Sequence, residues 1–282
     1  MIRIFPLIFI LLWSSAFITT KPIIDNSDPF SALAFRFFFV ALGFYLFSIY
    51  KRYSIIISRR NLVESVLSGV FFHGLYLGGV FYSISIGMPT GIAALIVTLQ
   101  PVLTNALSGP ILNEKVTIKQ WIGVLLGFIG ATLVLGFDVG KDIPLLGLVA
   151  TIIALVAITT STIWQKKLSN NLSLPVSNFY QAVGGCLFHI IIISFFTKPY
   201  IDLTKTFIIA MGHQIFLVSF GAFTILMYLI KNNSASKTVS IFFLIPATSA
   251  FMAWLFLNES LTNLDLLGFL ITTIGVYIAT RD

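Results

Sequence analysis

Residues 99–130 of this sequence recur at residues 244–275, and the recurrence limits the architectures that the chain can adopt. A displacement of 145 positions aligns the two segments without a gap, and ten of thirty-two positions are identical. The identical pairs are Leu99/Leu244, Pro101/Pro246, Leu112/Leu257, Asn113/Asn258, Glu114/Glu259, Thr117/Thr262, Gly123/Gly268, Leu125/Leu270, Ile129/Ile274 and Gly130/Gly275. Matched Pro, Asn, Glu, Thr and Gly are harder to obtain by chance than matched Leu or Ile. The pattern predicts an internal duplication of about half the chain.

The composition places the repeated unit in a lipid bilayer. Of the 282 residues, 57% are hydrophobic and 10% are charged. Apolar runs of about 20 residues recur from end to end, and a helix of that length crosses a bilayer core of roughly 30 Å. Backbone groups in lipid must be hydrogen-bonded internally, and runs without period-two alternation favour helices over barrel strands. We therefore predict an all-α integral membrane protein.

Ten spans can be counted, and the first has no small-residue cleavage site, so we expect it to be retained. The predicted spans are 4–20, 29–50, 62–86, 89–111, 119–137, 143–164, 174–196, 206–230, 235–257 and 263–280. We predict one membrane domain made of two five-helix repeats, 1–138 and 139–282, around a central cavity. Because five is odd, the second repeat must be inverted relative to the first, as in transporters that expose one site alternately to each side.

The positive charges predict an orientation and argue against nucleic acid as a partner. The net charge is +7, but the cations lie in short loops between spans. With a cytoplasmic N-terminus, 12 of the 17 Lys and Arg residues face the cytoplasm, four face the other side and Arg36 lies inside a span. The positive-inside rule therefore predicts that both termini are in the cytoplasm. The single Cys186 excludes a disulfide framework and a cysteine-based metal cluster.

Pro101 and Pro246 lie in the middle of the fourth and ninth spans. Proline removes a hydrogen bond and clashes with the preceding turn, so we predict a matched bend in both helices beside the cavity. Thr98 and Asn105 lie on a small, polar stripe of the fourth span, whereas the equivalent stripe of the ninth span is more apolar and contains Phe243. Close packing of helices through small residues is an alternative explanation for both features.

Further candidates for contact with a substrate are aromatic and amide side chains distributed over the spans. A cavity with such a lining suits a small organic solute that has apolar and polar parts. These candidates are Trp13, Phe17, His73, Tyr76, Tyr82, Trp164, Gln214 and Tyr228. For Trp13 and Trp164 the aromatic belt at the membrane surface is the alternative explanation.

Arg36 is the one clear charge well inside a span, and a buried charge is a hypothesis of function by default. It lies about 10 Å from the start of its helix at Pro29, and the alternative to a functional role is that it snorkels or binds helix-end carbonyls. No Asp or Glu lies near the middle of a span, which argues against a proton relay built on a carboxylate. Two mechanisms then remain. Either the solute moves by facilitated transport or exchange, or its transport is coupled to protons through His73.

Two repeated motifs have a structural explanation, and the sequence lacks motifs typical of ATP use, metal binding and catalysis. Thr117 with Gln120, and Thr262 with Asp265, match a helix capping box, and Glu114 and Glu259 are expected to shape the adjoining turns. There is no phosphate-binding loop, no HExxH and no Cys/His cluster, so we expect neither direct use of ATP, nor a metal or other cofactor, nor an enzyme.

The sequence resembles the EamA family of the drug/metabolite transporter superfamily. The resemblance is carried by Trp13-Ser14-Ser15-Ala16-Phe17, by Arg36-Phe37, by ten spans in two halves and by the paired Pro, Asn-Glu, Thr, Gly and Gly positions. It implies a carrier in the cytoplasmic membrane, often an exporter of amino acids or other small metabolites. It also implies a cavity lined by spans one, three, four, six, eight and nine, with spans five and ten at the periphery.

The leading hypothesis is a secondary-active or facilitative transporter that exports a small metabolite by alternating access. The alternatives are a channel-like protein and a receptor for small solutes. The expected partners are the solute and the lipid bilayer, with no obligate protein partner.

Overall fold

The computed structural model of the chain describes residues 4–88, 90–135, 143–168, 172–257 and 262–281. Within these ranges ten helices are long and apolar enough to cross a membrane, which confirms the predicted fold class. The continuous helices are α1 (Phe5–Ile24), α2 (Pro29–Tyr50), α3 (Arg59–Ser85), α5 (Ile118–Leu135), α6 (Leu145–Leu168), α7 (Leu174–Phe196), α8 (Lys205–Asn232) and α10 (Asn263–Thr280). Helix α4 consists of Thr90–Val97 and Gln100–Leu112, and α9 of Ala235–Ser240, Ile241–Phe243 and Leu244–Leu257. The predicted boundary between the halves at 138/139, and Glu259, lie outside the described residues.

Polar residues at the helix starts fix where several spans begin. The Asp28 carboxylate accepts a hydrogen bond from the backbone N–H of Ser31, ahead of Pro29 at the first position of α2. Both predicted capping boxes are confirmed. The Gln120 side chain accepts from the Thr117 N–H and the Thr117 hydroxyl accepts from the Gln120 N–H, at 2.7 and 3.2 Å. Thr262 and Asp265 make the same two bonds at α10.

The capping threonine of α10 permits a first test. We expect Thr262→Ala to destabilise the protein by about 1 kcal/mol, because the backbone N–H of Asp265 loses its acceptor and the Asp265 carboxylate loses the hydrogen bond from the Thr262 hydroxyl. The apparent Tm of the detergent-solubilised protein should then fall by about 2–4 °C. Thr273→Ala, which removes a hydroxyl that donates to the Phe269 carbonyl of the same helix, is the matched control and should change the Tm by less. Equal shifts for the two variants would contradict a stabilising role for the cap.

Helices α5 and α10 pack against each other through glycines, and their contact shows that the halves are inverted. Gly123 lies against Gly275, and Gly130 lies against Gly268, so closely in each case that a Cβ atom would collide with backbone. The residue number rises along one helix as it falls along the other, so the helices are antiparallel. Displacement by 145 positions converts each contact into the other, as a two-fold axis requires.

The fourth and ninth helices are interrupted at equivalent positions. In α4 the helix stops at Val97 and restarts at Gln100, one residue before Pro101. In α9 a short 3₁₀ turn, Ile241–Phe243, precedes the segment that contains Pro246. Proline cannot donate the hydrogen bond that would join the two segments, and its ring excludes the preceding turn. Both breaks lie at the depth at which the sequence predicts the bends.

A second matched irregularity lies in the third and eighth helices. Helix α3 is π-helical over Val70–Tyr76, and α8 is π-helical over Gln214–Ala222. Displacement of the first segment by 145 positions places it at 215–221, within the second. π-Helical turns are rare and frequently lie at functional sites. The two halves therefore share a deformation that the sequence pattern does not reveal.

Contacts between helices of different halves follow the same symmetry. Helix α1 packs against α8 and α9, and its equivalent α6 packs against α3 and α4. Helices α2 and α7 pack along each other. The interior between α1, α3, α6, α8 and α9 is a hydrophobic core that contains residues of both halves. This seam is the place at which a site shared by two inverted halves would lie.

Candidate functional site

Aromatic rings from both halves fill the seam. Trp13 of α1 packs on Phe72 of α3 and on Phe242 of α9, with ring centroids 6.1 and 5.7 Å apart. Phe72 also packs on Tyr76 at 5.4 Å and on Phe223 of α8 at 5.1 Å. We call these five residues the aromatic seam, and all of them are buried. Where these five rings meet, they fill the space between the halves, so the predicted central cavity is closed at this level of the seam.

Arg36 lies in α2, at the edge of the aromatic seam. Its side chain is 5% exposed, and its Nε–H donates to the Ser219 hydroxyl of α8 at 2.9 Å. Ser219 in turn donates to the Gln214 carbonyl in the π-helical segment at 3.0 Å. The guanidinium carbon lies 5.3 Å from the centre of the Phe37 ring. The π-helical segment of α8 thus provides the serine that holds the buried cation.

His73 connects the neighbourhood of Arg36 to the aromatic seam. Its ring lies 4.3 Å from Phe37 and 4.6 Å from Phe223. The His189 Nε2 of α7 lies 2.9 Å from the His73 carbonyl. The Nδ1 atoms of both histidines are buried and have no hydrogen-bond partner among the described residues. Two imidazoles therefore lie beside the buried cation, each with an Nδ1 atom that the described part of the chain leaves without a hydrogen bond.

Gln214 ties α8 to α1 at the start of the π-helical segment. Its Nε2 donates to the Ala16 carbonyl at 3.0 Å and to the Thr19 hydroxyl at 2.9 Å. The adjacent His213 lies 3.0 Å from the Ser15 hydroxyl through Nε2. Because these partners belong to α1 and α8, the polar contacts join the two halves beside the aromatic seam.

A second set of polar contacts between halves lies at what we call the terminal side, the side on which α1 begins and α10 ends. The Ser236 hydroxyl of α9 donates to the Asn105 side-chain oxygen of α4. The two Glu114 oxygens accept from the backbone N–H groups of Ala235 and Ser236, at 2.8 and 3.3 Å. Glu114 therefore caps the start of α9 from the other half, a role beyond the local turn that the sequence predicts.

The place equivalent to Arg36 in the second half is occupied by a neutral network. Gln181 of α7 accepts from Gln165 of α6 at 3.0 Å and donates to the Ser177 hydroxyl at 3.0 Å. Gln165 also donates to Ser161, whose hydroxyl donates to the Ser68 carbonyl of α3. This network lies among α3, α6 and α7, the equivalents of α8, α1 and α2.

The predicted site residues are brought together only in part. Trp13, Tyr76 and Phe243 belong to one buried core, and His73 packs against its edge. Of the remaining candidates, Phe17 is 36% exposed on α1, Tyr82 packs on Phe30, and Thr98 bonds to Ala94 of its own helix. Trp164 packs on Phe71 and Tyr228 on Phe5, and both of these phenylalanines border the same core. Position along a helix thus does not bring every predicted side chain to the seam.

Two recesses in the structure lie away from these residues. One, of about 350 Å³, lies between α2 and α7 and is lined by apolar groups that include Phe38, Tyr45 and Leu187. The other, of about 20 Å³, lies near Phe251 and Phe269. Neither recess is lined by a predicted site residue, so neither is a better candidate for the substrate site than the seam.

Sequence reasoning identified His189 only as one of three titratable histidines, with His73 and His213, and it missed Gln181 and Ser219. Ser219 was hidden because its partner is remote in the chain; Arg36 and Ser219 are 183 positions apart. Gln181 could have been found from the sequence, because it is the residue equivalent to Arg36 at the displacement of 145 positions.

Comparison with known proteins agrees with this architecture. The sequence profile described as "EamA-like transporter family" matches the chain twice, over residues 2–136 and 145–281. The uncharacterized transporter YvbV of Bacillus subtilis is 28% identical over 76% of this chain and 69% of its own length. Probable amino-acid metabolite efflux pumps of Salmonella typhimurium and Escherichia coli are each 23% identical over 96% of this chain and 92% of their own. A crystal structure with 17% identity matches with a TM-score of 0.82 over 99% of this chain and 97% of its own, which shows the fold alone.

Proposed function

Because the chain belongs to the EamA-like transporter family and is a membrane transporter rather than an enzyme, we propose that it exports a small organic metabolite. The substrate is an amino acid or a related solute. The mechanism is alternating access, as a secondary-active or facilitative carrier in the cytoplasmic membrane. The names of the two efflux pumps, which cover nearly the whole chain, support the substrate class and the direction.

The observation that carries this proposal is the set of matched features in two inverted halves. The reciprocal glycine contacts of α5 and α10, the breaks in α4 and α9 and the π-helical turns of α3 and α8 all repeat at a displacement of 145. Two inverted halves can exchange conformations and so expose one site to each side in turn. A helix broken at membrane depth is tolerated where it lies against protein or a water-filled cavity.

We place the substrate site at the aromatic seam and its polar border. The halves are 1–138 and 139–282, and the site opens when they separate at one end. Trp13, Tyr76 and the neighbouring rings supply apolar contact, while Arg36, His73 and Gln214 supply polar contact. Asn105 and the prolines of α4 and α9 border the site towards the terminal side.

The terminal side is the cytoplasmic side in this proposal. Support comes from the 12 of 17 Lys and Arg residues that fall there, against four on the other side. Lys166 of α6 illustrates the pattern, since its ammonium donates to the carbonyls of Ile230 and Asn233 at the end of α8.

Counterflow in liposomes tests the proposal. Purified protein is reconstituted into vesicles loaded with an unlabelled amino acid, and uptake of the same labelled amino acid is followed for each member of a panel. We expect the unlabelled solute inside to accelerate uptake of at least one labelled solute. Flux without this acceleration would indicate a channel, and binding without flux would indicate a receptor; either result contradicts the carrier.

A further inference from the structure

Arg36 and Gln181 occupy equivalent positions in the two halves but differ in charge. Helix α2 starts at Pro29 and α7 at Leu174, so each of these side chains lies seven residues after the start of its helix. Both are buried, with 5% and 1% of their surface exposed. Two side chains in equivalent places therefore differ by a full positive charge.

The Gln181 amide is supplied with partners by the protein itself. Its oxygen accepts from Gln165, and its nitrogen donates to Ser177, both at 3.0 Å. Buried polar groups are normally hydrogen-bonded in this way, and such a network stabilises one arrangement of the surrounding helices. The second half thus shows what a purely structural solution at this position looks like.

The described part of the chain provides Arg36 with fewer hydrogen-bond partners than its guanidinium can use. A guanidinium has five N–H donors, and the part of the chain that the structure describes accepts from one of them, through Ser219. The ion pairs recorded among the described residues, Lys21–Asp25 and Arg60–Glu64, do not involve it. A buried cation without a counter-ion is strongly disfavoured. The protein therefore maintains a buried positive charge whose counter-ion is not one of the described side chains.

We propose that Arg36 anchors the carboxylate of the transported metabolite. The planar fork of a guanidinium matches a carboxylate, and the resulting hydrogen bonds are among the strongest in proteins. Rings at 4.3 to 5.1 Å from one another lead from Phe37 through His73 and Phe223 to Phe72 of the aromatic seam. A ligand with a carboxylate head and an apolar body fits this sequence of groups. The inference rests on the proposed transport function.

Carboxylates and their amides test the anchor, because each pair differs in charge and little in shape. The pairs are acetate and acetamide, benzoate and benzamide, and phenylacetate and phenylacetamide, at equal concentration and ionic strength. The readout is the Tm of the full-length protein in detergent, which rises when a ligand binds the folded state. At least one carboxylate should stabilise the wild type more than its amide does. The proposal is overturned if no carboxylate raises the Tm of the wild type more than its amide does.

Arg36→Gln assigns the effect to this residue. The substitution introduces the amide that the second half already accommodates, so we expect it to fold. The apparent Kd for the carboxylate should rise about 10- to 100-fold, which corresponds to about 1.4–2.8 kcal/mol. Arg60→Gln removes an exposed positive charge and is the matched control, with no change expected in the Kd. Equal carboxylate binding by Arg36→Gln and the wild type would overturn the anchor.

If Arg36→Gln yields no folded protein, Arg36→Lys is the variant that tests the proposal. It keeps the charge but loses the fork, so binding of the same carboxylate should weaken at least about fivefold; unchanged affinity overturns the proposal. Counterflow is read separately. If a labelled amino acid is exchanged but carboxylate binding does not depend on Arg36, the carrier function stands and the proposed role of Arg36 is overturned. Carboxylate binding that depends on Arg36, without exchange of any solute, contradicts the carrier and assigns Arg36 to the ligand site of a receptor.

Discussion

Gly130→Val is expected to lower the apparent Tm of the purified protein by about 5–10 °C, because it forces α5 and α10 apart. A Cβ at Gly130 would meet the Gly268 carbonyl and the backbone of Thr272 at less than any normal contact distance. Backbone cannot move aside as the end of a flexible side chain can. The glycine that is equivalent by the repeat, Gly275, lies as close to Gly123 and Gly127. Gly275→Val should therefore produce a loss of similar size.

Gly212→Val is the matched control for this pair. Gly212 is also helical, but a Cβ at that position would meet no atom within 4 Å. We expect its Tm to stay within about 2 °C of the wild type, since surface substitutions away from special features change stability little. The measurement is thermal unfolding in detergent, followed by tryptophan fluorescence. A loss at only one of the two equivalent glycines, or losses no larger than that of the control, would contradict the two-fold contact.

Glu114→Gln should raise the reactivity of a buried cysteine at the terminal side about tenfold. Hydrogen bonds to a charged group contribute about 1.5–3 kcal/mol, and Glu114 accepts two from the start of α9. The amide keeps one acceptor oxygen but loses the charge, so the contact between the halves opens more often. The reporter is Ser240→Cys, because Ser240 is 1% exposed in α9, in a Cys186→Ala background that removes the native thiol.

Labelling is measured in nanodiscs with a membrane-impermeant thiol reagent, so that both faces are reached. Glu64→Gln in the same background is the matched control. It removes a carboxylate of a surface ion pair with Arg60, and such pairs contribute little to stability. Its labelling rate should stay within about twofold of the background. If Glu114→Gln is labelled no faster than Glu64→Gln, Glu114 does not hold the terminal side closed.

Features that depend on neighbouring residues could be predicted from the sequence. The capping boxes at Thr117 and Thr262 follow from spacings of three residues, and the structure contains both. The breaks in α4 and α9 follow from the missing N–H of Pro101 and Pro246. The duplication, visible as a displacement of 145 positions, together with the count of ten apolar spans predicted five helices in each half.

Features that depend on packing could not be predicted in the same way. A π-helical turn has no characteristic spacing of side chains, so Val70–Tyr76 looks like any apolar helical segment. Phe17 and Trp13 lie one turn apart on α1, yet one is exposed and the other buried, because only the neighbouring helices decide which face is covered. The role of Glu114 required knowledge of α9, which follows more than one hundred positions later.

The pairing of Arg36 with Gln181 has a consequence for how such a protein can arise. An assembly of two identical copies of the first half would bury two guanidiniums, and one of two copies of the second half would bury none. Only copies that differ in sequence can keep a cation in one half and an uncharged counterpart in the other. Divergence of the two halves thus gives a symmetric scaffold a chemical polarity that no homodimer of either half can possess.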